Sequence, residues 1–290
     1  MSATIESKVL GFVPATPDAL DPRVIDQKRS SAGAGKSAGA ASEVRTTFER
    51  FELKYWIAEP VADRVLRFAE PYLKRDPHSS TWESQRNTTL YLDTRGFRFC
   101  EDHLALSPDR LKLRLRVYGQ PLGDTAFFEV KRKMKSITVK NRFALPVSEV
   151  AKVLGRQRAV YWLATEERKT FDDFVFRMRL HRAEPKVFVA CYREAFESRI
   201  PGEDVRLTID RELVYQPATG YEFTPDDRRW TNIREGEDPR PAFGRRRAML
   251  ELKFDGGCPR WMVELVKHFG LQRVAFSKYT TAAQQLRWRL

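Results

Sequence analysis

The chain has 290 residues, enough for one large domain or two small ones, and 52 Lys and Arg against 39 Asp and Glu, a formal charge of +13. That balance calls for a polyanionic partner: nucleic acid, an acidic membrane surface or phosphate-rich small molecules. Cys100, Cys191 and Cys258 are far apart and form no CxxC pair, which disfavours a disulfide framework or zinc site; with no apolar run near 18 residues and no secretory h-region, a cytoplasmic protein is expected.

Residues 1–43 hold few large apolar side chains, three prolines and a run of Ala, Gly and Ser, and are expected to be a disordered tail. Within it Gly33-Ala-Gly-Lys36-Ser37 lacks the spacing and preceding strand of a phosphate-binding loop. From Val44 the texture changes to alternation. Strands are expected at 50–57, 87–92, 111–118, 126–132, 137–145, 186–196, 205–210 and 248–254. Between them, Pro60 opens a helix with Val61, Val65, Phe68, Ala69 and Tyr72 on one face. Further helices are expected from Ser148 to Leu154, over 161–163 and over 171–180. Pro259 opens another, ending at Gly270 as C′ residue, and Ser277 caps the last, which carries Tyr279, Ala282, Ala283 and Leu286. The polar stretch 217–247, rich in Pro, Gly and Arg, reads as a surface loop. Strands in hairpins with helices inserted between them suggest an α+β domain rather than a strict βαβ alternation.

Alternate residues of a strand share a face. On 111–117 one face is aliphatic and the other is Lys112, Arg114 and Arg116. Glu129, Lys131 and Lys133 align, as do Lys140 with Arg142, Glu251 with Lys253, Arg206 with Thr208 and Asp210, and Arg50 with Glu52 and Lys54. A single charged face is ordinarily the solvated side of a sheet. The set is harder to explain so, because like charges on neighbouring strands repel and cations dominate throughout. A closed antiparallel β-barrel of about eight strands would resolve this: a basic tunnel inside, aliphatic faces outside, flanking helices as cover. Arginine forks suit phosphate, and the scattered glutamates suit a divalent cation.

Eight short motifs occur in order: Arg50-x-Glu52-x-Lys54-Tyr55, Lys112-x-Arg114-x-Arg116-x-Tyr118-Gly119, Glu129-x-Lys131, Lys140-x-Arg142-Phe143, Tyr192-Arg193-x-Ala195-Phe196, Val205-Arg206-x-Thr208-x-Asp210, Leu250-Glu251-x-Lys253 and Phe276-Ser277-Lys278-Tyr279. Together, over 44–290, they resemble the VTC domain, the polyphosphate polymerase module of the vacuolar transporter chaperone family, within the triphosphate tunnel metalloenzymes. The resemblance implies a tunnel barrel, Mn²⁺ or Mg²⁺, and ATP as phosphoryl donor. It implies phosphate-holding roles for Lys54, Arg114, Arg116, Lys131, Lys140, Arg193, Arg206, Lys253 and Lys278, and a metal role for Glu251. Hydrolytic relatives carry Glu where Arg50 stands, so this chain has fewer carboxylates on its first strand, which favours polymer handling over two-metal hydrolysis. Cys191 stands where the family usually has an aromatic residue.

The expected reaction transfers the γ-phosphoryl of ATP to the end of an inorganic polyphosphate chain, with phosphate, pyrophosphate or triphosphate as related ligands. Arg114, Arg116, Lys131 and Lys253 would hold the transferred group. Lys54, Lys112, Lys133, Lys140, Arg142, Arg193, Arg206 and Lys278 would bind substrate, and Glu251, helped by Glu129, would hold the metal. Positioning and charge neutralisation supply most of such a rate. His78, His103, His181 and His268 form no cluster, which fits a reaction needing no general base. The alternatives are a non-catalytic polyphosphate or nucleotide sensor, and a triphosphatase or nucleotidyl cyclase of the same superfamily. A nucleic-acid partner is disfavoured by the lack of any helix-turn-helix, zinc-finger or RNP signature. A membrane-protein partner that exports the product is compatible with this reading, although no residue points to it.

Overall fold

The computed structural model of the protein describes residues 50–77, 84–135, 137–155, 165–218, 220–234 and 247–288. The expected disordered tail and the expected helix over 161–163 lie outside them. The elements run β1 (Arg50–Ala58), α1 (Glu59–Ala69), β2 (Leu73–Arg75), β3 (Gln85–Asp93), α2 (Arg98–Leu104), β4 (Asp109–Tyr118), β5 (Thr125–Met134), β6 (Ile137–Pro146), α3 (Val150–Leu154), α4 (Thr165–Leu180), β7 (Glu184–Ser198), β8 (Val205–Pro217), β9 (Thr231–Asn232), β10 (Arg247–Asp255), α5 (Arg260–His268) and α6 (Lys278–Arg287).

The strands form one antiparallel sheet in the order β1-β10-β8-β7-β3-β4-β5-β6, with β2 beside β7 and β9 beside β8. Each strand expected from alternation is present, and β8 runs seven residues past its expected end, from Asp210 to Pro217. The fold is thus α+β around a large antiparallel sheet. The expected closure is not shown: among the described residues no ladder joins β1 to β6.

The sheet is nevertheless strongly rolled. In a flat sheet β1 and β4, separated by four strands, would stand roughly 24 Å apart. Yet Lys54 Nζ on β1 donates to the carbonyl oxygen of Phe276 at 3.0 Å, and Lys112 Nζ on β4 donates to Ser277 Oγ at 3.0 Å. Two adjacent residues of one segment therefore touch both strands. The same segment lines the free edge of β1: Tyr55 forms a bridge with Arg273, and Val274 N–H donates to Lys54 O at 2.8 Å.

The aliphatic faces point outward, as the pattern demands. Leu111, Leu113, Leu115, Val117, Phe128, Val130, Phe143 and Leu145 form a core with Val150, Val153 and Leu154 of α3 and Phe171, Phe174 and Met178 of α4. On the other side Leu53, Ile57, Leu250 and Leu252 are buried beside α1 and α5, which contribute Ala62, Val65, Ala69, Trp261, Met262 and Leu265. Tyr72, expected to face inward, is exposed beyond the end of α1 and stacks on Trp261 instead. Gly270 adopts a φ of 57° after α5, the left-handed turn its position predicts.

The last helix behaves differently. Ser277 caps α6, accepting from Thr280 N–H, and Tyr279, Ala282, Ala283 and Leu286 pack on Tyr91, Val187, Val189, Cys191 and Met249. Tyr91 and Met249 share their strand faces with charged neighbours, so α6 lies against the inner, charged side and covers one end of it. α2, not expected from the sequence, fills the same end. Its N-terminal N–H groups are satisfied by Asp93, whose carboxylate accepts from Phe99 N at 2.9 Å and Cys100 N at 3.0 Å and also from the Tyr279 hydroxyl.

Phe128 is fully enclosed between Phe143 and Phe174, with ring centroids 4.8 Å and 5.1 Å away. Phe128→Ala is expected to lower unfolding free energy by about 3–5 kcal/mol, read from the shift in urea midpoint at unchanged slope.

Candidate functional site: a cationic inner face

Strand register decides which charges meet. Across β4 and β5, Lys112 faces Lys131 and Arg114 faces Glu129; across β5 and β6, Lys131 faces Lys140 and Glu129 faces Arg142. Across β1 and β10, Lys54 faces Glu251 and Glu52 faces Lys253; across β10 and β8, Glu251 faces Thr208 and Lys253 faces Arg206. Rolling the sheet then brings β1 toward β5, and the charges of Glu52, Lys54 and Lys253 act on Lys131.

Four carboxylates hold part of this positive charge. Asp210, completely buried, accepts two bonds from Arg193, Nε to Oδ1 at 2.6 Å and Nη2 to Oδ2 at 2.7 Å, and a third from Lys278 Nζ. Burial alone would raise its pKa, but Arg193 and Lys278 hold it far below the usual carboxylate range. Glu129, 1% exposed, receives Arg114 Nε at 2.5 Å and Lys140 Nζ at 2.9 Å, with Arg142 Nε at 4.0 Å. Again burial opposes ionisation and loses to the Arg114, Arg116 and Lys140 charges, so the pKa lies well below normal. Glu52 pairs with Lys54 at 2.6 Å and with Lys253 at 3.8 Å; burial raises its pKa, but Lys54 and Lys253 bring it down to about 2. Glu251 is bound by the same Lys253.

The remaining cations have no such partner. Among the described residues, Lys112, Arg116, Lys131 and Lys133 make no ion pair; Arg116 Nε donates to Thr89 Oγ1 at 3.3 Å, and its guanidinium carbon lies 5.9 Å from the Tyr118 ring centroid. Burial, then the charges of Lys131, Lys54 and Arg114, push the Lys112 pKa down to about 7. Burial and the charges of Lys112, Arg110, Lys54 and Lys131 push His103, on α2, down to about 3. The histidine thus registers a concentrated positive field at the end covered by α6.

The sequence-predicted residues divide accordingly. Lys54, Lys112, Arg114, Lys131, Lys140, Arg142 and Lys253 are gathered on the inner face. Arg116 continues the row toward the other end, and Lys133 stands at the margin opposite Arg110. Arg193 and Lys278 are engaged on Asp210. Arg206 is half-exposed, with Asp76 and Asp204 each 4.0 Å away. The carboxylate beside Glu251 is Glu52, linked through Lys253, whereas no hydrogen bond or ion pair connects Glu129 to them. Only the register of β1 on β10 reveals that proximity, since the two glutamates are far apart in sequence.

A hard divalent cation prefers oxygen, commonly one or two carboxylates completed by substrate phosphates. The Glu52–Glu251 pair fits: both stay ionised, and Thr208 Oγ1, opposite Glu251, is buried without a hydrogen-bond partner. Among the described residues no group of three or more His, Cys, Asp and Glu side chains gathers to hold a metal alone.

The fold is α+β: a rolled antiparallel sheet with helices on its apolar face and an excess of cations over acids on its inner one. The sequence profile of the VTC domain matches residues 49–287, and the chain belongs to the VTC domain family. Membership implies a nucleotide or polyphosphate ligand in general. Two similar solved structures are described as candidate adenylate cyclases. The Bacillus halodurans protein is 11% identical over 78% of this chain and 92% of its own, with a TM-score of 0.43. The Vibrio parahaemolyticus protein is 13% identical over 80% and 96%, with a TM-score of 0.39. Curated protein sequences give no match. Among the described residues no helix is long and apolar enough to cross a membrane.

The depressed Lys112 predicts a pH effect of known sign. Between pH 7 and the ordinary lysine pKa of 10.5 the unfolded chain binds the proton and the folded one does not, so this group's contribution to stability rises with pH across that window. A bound polyphosphate draws the proton back, so binding weakens as pH rises through 7. Tripolyphosphate affinity is expected to fall about tenfold more between pH 6 and 8.5 in the wild type than in Lys112→Arg, whose guanidinium stays charged, as measured by calorimetry.

Proposed function

We propose that this domain is a polyphosphate polymerase, which transfers the γ-phosphoryl group of ATP to the terminal oxygen of an inorganic polyphosphate chain, or to free phosphate as primer. The observation that carries this is the row of inner-face cations that make no ion pair among the described residues: Lys112 and Arg116, both half-buried, and the more exposed Lys131 opposite Lys112. Buried or confined positive charge that the protein does not neutralise is unfavourable unless a ligand neutralises it. A polyphosphate supplies closely spaced negative charges along a narrow chain that several strands can contact at once, and its ionised terminal oxygen needs no base to become a nucleophile.

In this reading Arg114, Arg116, Lys131 and Lys253 surround the transferred phosphoryl group, and Lys54, Lys112 and Lys140 hold the flanking phosphates. Arg193 and Lys278 are held in place by Asp210 and present their remaining donors along the same face. Arg206 and Lys133 extend the positive lining toward its margins. Glu251 and Glu52 would hold Mn²⁺ or Mg²⁺, which when bound neutralises charge on phosphate oxygens and helps align them. Glu129 keeps Arg114 and Lys140 in fixed positions, so the cations are oriented before the substrate arrives. Membership in the VTC family supports the assignment, as does the absence of any need for a histidine. The cytoplasm remains the compartment we propose, since ATP is the donor.

The test is incubation of the protein with ATP and Mn²⁺ followed by gel electrophoresis for long-chain polyphosphate. Tight triphosphate binding without polymer would replace the polymerase with a sensor, and release of phosphate from inorganic triphosphate would replace it with a triphosphatase. Arg116→Ala combined with Lys131→Ala is expected to lower kcat/KM about 100-fold or more without unfolding, because neither residue holds a carboxylate in place. Glu251→Gln is expected to abolish stimulation by Mn²⁺. Unchanged metal activation in that variant would place the metal elsewhere.

A further inference from the structure

The end of the inner face away from α6 carries a different chemistry. On β3, Tyr91 stacks on Tyr279 of α6 with centroids 4.7 Å apart, and the inner-facing positions then run through Thr89 to Asn87. Asn87 lies opposite Tyr118 of β4. It is 6% exposed, and its Oδ1 has no hydrogen-bond partner. Tyr118 meets Phe127 of β5 edge to face, with centroids 5.5 Å apart and planes at 65°. Over Phe127 lies the Arg142 guanidinium, its central carbon 3.7 Å from the ring centroid and 5.9 Å from that of Tyr118. The Arg142 side chain is 40% exposed, and its nearest carboxylate, Glu129, is 4.0 Å from Nε.

A guanidinium laid on an aromatic ring is fixed in plane and leaves its other face open. That face is weakly hydrated and planar, a surface on which nucleobases stack, whereas phosphates are bound by the N–H edge. A buried amide oxygen without a donor loses its hydration unless a ligand supplies an N–H, and the exocyclic amino group of a base is such a donor. From this rim the inner-facing positions of β4 lead inward through Arg116 to Arg114 in steps of about 7 Å, so a triphosphate attached to a base held here would run along the arginines.

We propose that Arg142, Phe127, Tyr118 and Asn87 form the nucleobase subsite of the donor nucleotide: the base stacks on the guanidinium that Phe127 supports and hydrogen-bonds to the Asn87 amide. Arg142, expected from the sequence to bind phosphate, is thereby assigned chiefly to the base. The inference rests on the reading of ATP as the donor, and its test is one of binding rather than turnover.

The experiment titrates the full chain calorimetrically with ATP and, separately, with inorganic tripolyphosphate, for the wild type and for Arg142→Lys. The lysine keeps the charge and removes the plane. ATP affinity is expected to fall about tenfold, while tripolyphosphate affinity stays within about twofold. A parallel loss for both ligands would make Arg142 a phosphate ligand and overturn the subsite. Unchanged ATP affinity would place the base elsewhere, and a wild-type protein that binds neither ligand would refute both the subsite and the polymerase. A protein that shows the selective loss yet makes no polymer would refute only the polymerase.

Discussion

Like charges repel, and this domain gathers a row of them on the concave side of one sheet. Two lysines on neighbouring strands, Lys112 and Lys131, face one another with no carboxylate between them. The arrangement persists because the energy of folding is collected elsewhere. The aliphatic faces of the same strands bury Leu113, Leu115, Val117, Phe128 and Val130 under helices, and a strand cannot turn one face outward without turning the other inward. The hydrophobic pattern therefore enforces the electrostatic one. Burial, together with these like charges, lowers the pKa of both Lys112 and His103.

The roll of the sheet is set by a different part of the chain. Phe276 and Ser277 receive the ammonium groups of Lys54 and Lys112, and α6 begins directly after them. Because α6 buries Tyr279, Ala282 and Leu286 on the inner face, one end of the interior is apolar and filled while the other is lined by aromatic rings and arginines. An anion that needs to pass its charged part inward and leave an uncharged part at the rim meets a face graded in that sense.

Much of this was legible in the sequence because period-two alternation survives wherever one strand face is apolar. The Lys112-Leu-Arg114-Leu-Arg116 run announces both its strand and its charged side. What escaped were features with no local signature. α2 is a short helix whose N-terminal N–H groups are satisfied by Asp93, a carboxylate several residues upstream, so neither a cap at the usual position nor a long apolar stripe marks it. The proximity of Glu52 to Glu251 depends on strand register, which alternation cannot specify between segments 199 residues apart. By spacing Tyr72 continues the apolar face of α1, but the helix stops at Ala69, and the ring stacks on Trp261 instead. Closure of the sheet, expected from the charged faces and from the family resemblance, is not shown among the described residues; the 273–277 segment that bridges β1 and β4 accounts for the curvature that is seen.

The distribution of carboxylates separates the cations that serve the fold from those available to a ligand. Asp210 is fully occupied by Arg193 and Lys278, and removal of that one buried acid would leave two half-buried cations facing each other. Glu129 does the same for Arg114 and Lys140, holding them as a fixed array. Four acids within a larger cationic set thus leave a residue of charge rather than a balance, concentrated on Lys112, Lys131 and Arg116. A domain evolved only to be stable would gain by exchanging Lys112 or Arg116 for a neutral side chain, since both are half-buried and make no ion pair among the described residues. A row of cations inside the curve of the sheet, more than its acids neutralise, favours an anion narrow enough to enter over a broad acidic surface.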